Sequence, residues 1–449
     1  MMVPARPILD TLIESDGGRS LKNIHKTEVG RMMQAGLCGL LYPDIAHLSP
    51  EQIQNFLCEV EIVQGKAHLA IVAPKGPLQH AEIDRLSNAG TSIVAGLAYA
   101  PREIAHTREA VQSILINADV INGSAETEDL SIVFQGGARI SNYEYKFAKL
   151  VGAEIAKFPH APKKFITGGG RGIMRAPHRG SQITAMERGE NDTTNCGVSC
   201  GKIIAAEPPN SIVTKLAVFE QIERRLEAFT RSGQLTVFFP GGTGTFEELL
   251  YVLAVLTEPK NQGIHYTFLL AGSEENLEYY DTVISTLEQS LGTDIVEQTQ
   301  LKERVCIGKP EEVAQRILKE AEASRWARRK EITGKPNDAH VRMDFHGGIH
   351  IPKGLRVPFL VTRESVAALQ LHREQSAADI IVNLRRFLYS VSCACISKER
   401  DEVAQNGPFV VSGDPEVMAG IDRLLEFFVA MQRMNGGTYQ KPYILRGAA

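Results

Sequence analysis

Leu235-Thr236-Val237-Phe238-Phe239-Pro240-Gly241-Gly242-Thr243-Gly244-Thr245-Phe246-Glu247-Glu248 runs from a short apolar, β-type segment through a glycine turn. It enters a segment, Phe246 to Leu256, that reads as helix. Glycines without side chains let backbone N–H groups approach an anion. A helix N-terminus adds unpaired donors and partial positive charge, and the threonines add hydroxyls. A phosphate is the natural occupant. Thr245-x-x-Glu248 also fits a capping box, which accounts for those two residues but not for the proline and three glycines before them. From average composition, PGGxGTxxE arises by chance in such a chain with a probability on the order of 10⁻⁵ to 10⁻⁴, so the pattern needs a cause.

Working outward, three more apolar runs end in glycine: LSIVFQGG (130–137), KKFITGGG (163–170) and YTFLLAG (266–272). Strand, glycine turn and helix in repetition predict a Rossmann-like, doubly wound parallel sheet in an α/β protein, with the ligand outside the carboxyl ends of the strands. The turns Gln135–Ser141 and Thr167–Met174 would then join the first. That makes Gly136, Gly137, Gly168, Gly169, Gly170, Arg171 and Met174 candidate substrate contacts. Two familiar phosphate signatures are missing. Gly197–Ile203 is one residue short of a Walker A loop and lacks its hydroxyl, and Ile173 stands where a dinucleotide fingerprint needs its third glycine. ATP hydrolysis and hydride transfer are disfavoured.

The segment KLAVFEQIERRLEAFTR (215–231) reads as an amphipathic helix with Phe219, Ile222, Leu226 and Phe229 buried. At about 100° per residue, Arg225 lies roughly 60° from Ile222 and Arg224 roughly 160°, so Arg225 reaches along the buried face and Arg224 toward solvent. A buried guanidinium needs a partner. An ion pair with Glu227 or Glu248 is one reading, and contact with an anionic substrate or a catalytic carboxylate is the other. Glu207-Pro208-Pro209-Asn210 is a stiff turn placing Glu207 and Asn210 beside the same pocket.

The 449 residues suggest about two or three domains. The expected parts are an accessory segment 1–122, a nucleotide-binding core 123–325 and a C-terminal part 326–449 of α/β or α+β type. Residues 51–63 and 108–115 read as helices and 67–74 as a strand. SAADIIVNLRRFLYSV (376–391) and DPEVMAGIDRLLEFFVAMQRM (414–434) read as helices of the last part. A formal net charge of −4 gives no electrostatic reason to expect DNA or RNA as a partner. No apolar run is long enough for a membrane span and no leader is evident, which predicts a cytoplasmic protein. The seven cysteines show no metal or disulfide frame and read as reduced thiols, and glycines between His346 and His350 argue against a helical metal pair. No metal or organic cofactor is called for.

PGGTGTFEE (240–248), with IERRLEAF (222–229), TGGGRGIM (167–174) and AAEPPN (205–210), resembles the LOG-like superfamily. That superfamily is named after the cytokinin-activating phosphoribohydrolases, and many of its members carry a mistaken lysine decarboxylase label. The longer context looks most like the bacterial pyrimidine/purine nucleotide 5′-monophosphate nucleosidases (PpnN-type), which carry an extra domain on each side of the core. The resemblance implies hydrolysis of AMP, GMP, IMP, CMP or UMP to base and ribose 5-phosphate. It implies Glu248 as catalytic carboxylate, Arg225 as essential arginine, and Gly241, Gly242, Thr243, Gly244 and Thr245 as the 5′-phosphate cradle. It also implies a homo-oligomer (dimer or tetramer) and regulation by (p)ppGpp, for which Arg325–Lys330 and Arg385/Arg386 are candidate contacts. Arg225-Leu226 departs from the Arg-Lys of the plant enzymes, which disfavours cytokinin specificity. A cytokinin riboside 5′-monophosphate phosphoribohydrolase and a non-catalytic nucleotide sensor are the alternatives.

Overall fold

A computed structural model describes residues 131–158, 164–189, 194–200, 210–213, 215–219, 222–333, 349–396, 403–434 and 440–446. The segment 1–122, with its expected helices and strand, lies outside the described residues, as do Glu207 and the side chains of Arg224 and Arg328–Lys330.

Seven strands form one sheet: β1 (Ser131–Gln135), β2 (Lys164–Thr167), β3 (Thr194–Cys200), β4 (Lys215–Phe219), β5 (Leu235–Phe238), β6 (Phe268–Gly272) and β7 (Val305–Ile307). Their order is β4-β3-β2-β1-β5-β6-β7, and every pairing is parallel. The chain builds leftward from β1 to β4 and then crosses to β5 on the other side of β1. The switch point of this doubly wound sheet therefore lies between β1 and β5, where a ligand crevice forms.

Strand alternation sorts the core into two layers. Ile132, Phe134, Leu235, Val237, Leu269 and Ala271 face one side, with α1 (Asn142–Lys157), α2 (Ala176–Glu187) and α7 (Pro310–Thr333). Val133, Ile166, Val198, Phe238, Phe268 and Leu270 face the other, with α3 (Ile222–Ser232), α4 (Thr243–Thr257), α5 (Leu277–Leu291) and the short α6 (Thr293–Gln298). Along α4, Leu249 through Val255 is buried without a break. An all-round apolar helix needs cover on every side. The sheet supplies one wall and α10 (Ala377–Ile396) the other.

The expected helix over 215–231 is corrected: Lys215–Phe219 is the strand β4, paired with β3, and the helix begins at Ile222. A five-residue apolar run has no helical period of its own, and pairing decides it. Arg225 keeps its buried place, at 6% exposure.

The chain passes residue 325 inside α7, the helix that leads out of the core. Beyond it, α8 (Lys353–Arg356), α9 (Arg363–Ala367), α10 and α11 (Pro415–Ala430) surround a parallel three-stranded sheet. Its strands are β8 (Gln370–Leu371), β9 (Phe409–Gly413) and β10 (Tyr443–Leu445), in the order β10-β9-β8. Both helices expected here are present as α10 and α11. Ile380, Leu384, Leu388, Leu424 and Phe428 merge with the α4 side of the main core, so this part packs onto the sheet domain rather than standing apart. No helix among the described residues is long and apolar enough to cross a membrane.

Candidate active site

Backbone hydrogen bonds lace the three glycine turns together at the switch point. Phe239 N donates to Gln135 O (2.9 Å), Gly137 N to Pro240 O (3.2 Å) and Ile173 N to Gly137 O (3.0 Å). Gly136, Gly137, Gly168, Gly169 and Gly170 are buried in this lacing, with Met174 at its edge and Arg171 exposed. Asn210 holds the second turn: its Nδ2 donates to Gly169 O at 2.8 Å and Gly170 O at 2.7 Å. These residues converge as expected, but several shape the loops instead of lining open space.

The loop 240–245 is half covered and half open. The Gly241 N–H is taken by the Tyr279 hydroxyl (3.0 Å), and a Cβ there would meet Thr245 Oγ1 at 2.1 Å, so only glycine fits. Gly242 lies against the backbone of Arg433, just beyond α11. Helix α4 starts at Thr243 with Gly242 as N-cap, and no side chain caps it. The capping-box reading fails, because Thr245 sits in the third helical position and its first-turn neighbours lack a cap. Phe246 N makes the first intrahelical bond, to Gly242 O (3.0 Å). The amides of Thr243, Gly244 and Thr245 precede it and have no intrahelical acceptor, and Gly244 is exposed. An uncapped start of a 15-residue helix is an anion site in waiting.

One turn further, Glu248 Oε1 accepts from Arg225 Nη1 at 3.2 Å. The ion pair left open by the sequence is therefore with Glu248, while Glu227 pairs with Arg231. The guanidinium is fixed from three sides. Its Nε donates to Val198 O (3.0 Å), it stacks 4.8 Å from the Phe229 ring centroid, and Nη2 occupies space a Cβ at Gly168 would take (2.6 Å). Burial pushes the Glu248 carboxyl up to about 7, with Arg225 holding it lower than burial alone would. Beneath it a cavity of about 10 Å³ is lined by Gln135, Thr236, Tyr251 and Tyr266 among others. That is the room of roughly one water, not of a nucleotide.

Four partners of this site escaped the sequence reading: Gln135, Tyr279, Ser392 and Arg433. Gln135, the last residue of β1, sets its side-chain amide against both Glu248 oxygens; turned with its nitrogen inward, the orientation that satisfies both ends of the amide, it donates to them at 2.9 and 3.2 Å. Ser392 of α10 donates to Thr243 Oγ1 (2.9 Å) and lies 3.5 Å from Glu247 Oε1. Glu247 is pushed up to about 8 by burial, with Arg385 pulling the other way and Glu248 and Glu223 adding to the rise. The signal for Gln135 was present: strand alternation puts it on the core face with Val133. Ser392 and Arg433 arrive from far along the chain and left none. Arg385 is 1% exposed and paired with Glu223 (3.5 Å), so it is corrected from candidate effector contact to buried structural cation. Arg386 donates to Gly354 O (2.8 Å).

An uncapped helix start and an arginine-clamped carboxylate lie side by side at the switch point of a doubly wound sheet, an arrangement suited to an enzyme of phosphorylated small molecules. Comparison with known proteins sharpens this. Residues 330–445 match a family model described as pyrimidine/purine nucleotide monophosphate nucleosidase, C-terminal, and residues 174–317 match one described as possible lysine decarboxylase. The pyrimidine/purine nucleotide 5′-monophosphate nucleosidase of Escherichia coli (strain K12) is 32% identical over 331 residues, 73% of this chain and 69% of that protein. The protein of that name from Escherichia coli O157:H7 matches with the same figures. The chain belongs to this nucleosidase family, within the LOG-like proteins. No lysine stands among the site residues above to serve a decarboxylase.

Proposed function

We propose that this chain hydrolyses the N-glycosidic bond of nucleoside 5′-monophosphates, AMP, GMP, IMP, CMP and UMP among them, to free base and ribose 5-phosphate. The observation that carries the reading is the Arg225–Glu248 pair one turn beyond the uncapped α4 start. Four residues of helix span about 6 Å, comparable to the reach of a ribose from its 5′-phosphate to its anomeric carbon.

Thr243, Gly244 and Thr245 donate to the phosphate, with Gly241 and Gly242 forming the wall behind it. As the C1′–N bond breaks, its electron pair leaves with the base and positive charge grows on the ribose. The Glu248 carboxylate stabilises that charge and takes a proton from the water whose oxygen bonds to C1′. The proton that Glu248 takes up passes on, directly or through solvent, to the departing base, which regenerates the carboxylate and divides the water between the two products. Phosphate binding fixes the sugar and supplies remote binding energy to the reacting carbon. Arg225 favours the ionised carboxylate against the effect of burial and aims it.

A product assay over the common ribonucleoside and deoxyribonucleoside monophosphates, with isopentenyladenosine monophosphate included, tests the reading. Release of base and ribose 5-phosphate in equal amounts from the common nucleotides supports it. Turnover confined to the cytokinin substrate, or tight nucleotide binding with no turnover, would replace it.

The same proposal carries a three-part organisation at 1–122, 123–325 and 326–449, a cytoplasmic homo-oligomer and control by (p)ppGpp. The two matched family models, 174–317 and 330–445, support the second boundary. With Arg385 buried, any (p)ppGpp site has to use other cations. Sedimentation with and without (p)ppGpp, alongside the product assay, checks both points.

A further inference from the structure

We propose that Gln135 is a positioning residue for Glu248, its amide clamping both carboxylate oxygens so that the group stays ionised and fixed in plane. The inference rests on the nucleosidase reading and adds a residue that the resemblance does not supply. Gln135 ends a central strand, is 2% exposed and lies at the switch point itself. A buried amide in such a place must find partners or destabilise the fold. Its neighbours favour one orientation: with the oxygen inward it would face only acceptors and the nitrogen only donors, and turning the amide satisfies both. With nitrogen inward it donates to Oε2 at 2.9 Å and Oε1 at 3.2 Å.

The carboxylate is thus held from two rigid elements, by Arg225 from α3 and by Gln135 from the sheet. The two donors differ in kind. A second cation would cancel the negative charge that a cationic ribose needs, whereas an amide dipole favours the ionised carboxylate without adding net charge. The other titratable groups around Glu248 are Glu247 on its own helix and Tyr251 and Tyr266 along the cavity.

The test is the pH dependence of Gln135→Met, which keeps the side-chain length and removes the donor, and of Gln135→Asn, which keeps the amide but shortens its reach. The acid limb of kcat/KM moves up by about one pH unit in Gln135→Met, so that activity at pH 6 falls about tenfold and recovers toward wild type above pH 8. Gln135→Asn moves it the same way, and carries the test should the methionine variant fail to fold. Isotope-edited infrared titration of the Glu248 carboxyl, assigned with Glu248→Gln, reads the same shift without turnover. A wild-type protein that releases no ribose 5-phosphate sinks the proposed reaction but leaves the infrared titration to decide on Gln135. Acid limbs and infrared midpoints that coincide with wild type overturn the proposal.

Discussion

Arg225 and Glu248 are 23 residues apart in sequence and meet at 3.2 Å, one carried by the helix before β5 and the other by the helix after it. Both side chains are nearly buried, 8% and 11% exposed, so each is the other's answer to desolvation. Removing one partner of such a pair costs about 3–5 kcal/mol when the remaining charge cannot be neutralised. Glu248 can be neutralised, since its carboxyl already sits at about 7. Arg225→Met should therefore lose little stability at pH 6 and distinctly more at pH 8.5, with activity low throughout. Denaturant melts at the two pH values measure this, and equal losses at both would contradict it.

The raised carboxyls also set the pH profile of the wild type. In the proposed reaction Glu248 acts on a cationic ribose in its ionised form, so kcat/KM should climb with pH through about 7. Stability should move oppositely. Glu247 and Glu248, at about 8 and 7, bind protons in the folded state that the unfolded chain has released above roughly 4.5. Their contribution is full below that value and fades as pH rises through 7 and 8. Glu247→Gln should flatten the decline of the melting temperature between pH 5 and 8, and a parallel decline would refute the burial argument.

Tyr279 reaches the glycine loop 240–245 from α5 by accepting the Gly241 N–H. Tyr279→Phe strands a buried amide, for which the expected loss is about 1–3 kcal/mol. It should also raise KM for nucleotides more than it lowers kcat, because the loop wall loosens while Glu248 stays in place. A stability loss with unchanged KM would assign Tyr279 to the core alone.

How far these features were legible depended on their range. β1, β2, β5 and β6 announced themselves as apolar runs ending in glycine. β3 did not, because Thr194-Asn195-Cys196-Gly197 is polar and its strand state comes from its neighbours on both sides. β4 was absorbed into the following helix for want of any break visible between Phe219 and Ile222. The motif residues 225 and 241–248 were readable from local chemistry. What covers them was not: Tyr279, Ser392 and Arg433 meet the loop only once α5, α10 and α11 are folded against it.

Gly241 and Gly244, two glycines of the same loop, make opposite predictions. A methyl group at Gly241 collides with Thr245 Oγ1 and approaches Gly137 N at 2.9 Å, while one at Gly244 meets nothing within 4 Å. Gly241→Ala should unlace the loops and abolish nucleotide binding. Gly244→Ala should keep or raise stability, by up to about 1 kcal/mol, since alanine is the better helix former. Calorimetry of both variants separates them, and equal destabilisation would mean the loop packs differently.

The central claim is that the α4 amides grip a 5′-phosphate and so set Glu248 against the anomeric carbon. Its most direct measurement is ribose-containing product release from CMP and from cytidine, by wild type and by Glu248→Gln. The account predicts rapid release from CMP, very little from cytidine, and a loss of about 10²-fold or more in the variant, which still binds CMP. Equal rates for CMP and cytidine, or undiminished turnover by Glu248→Gln, would contradict it.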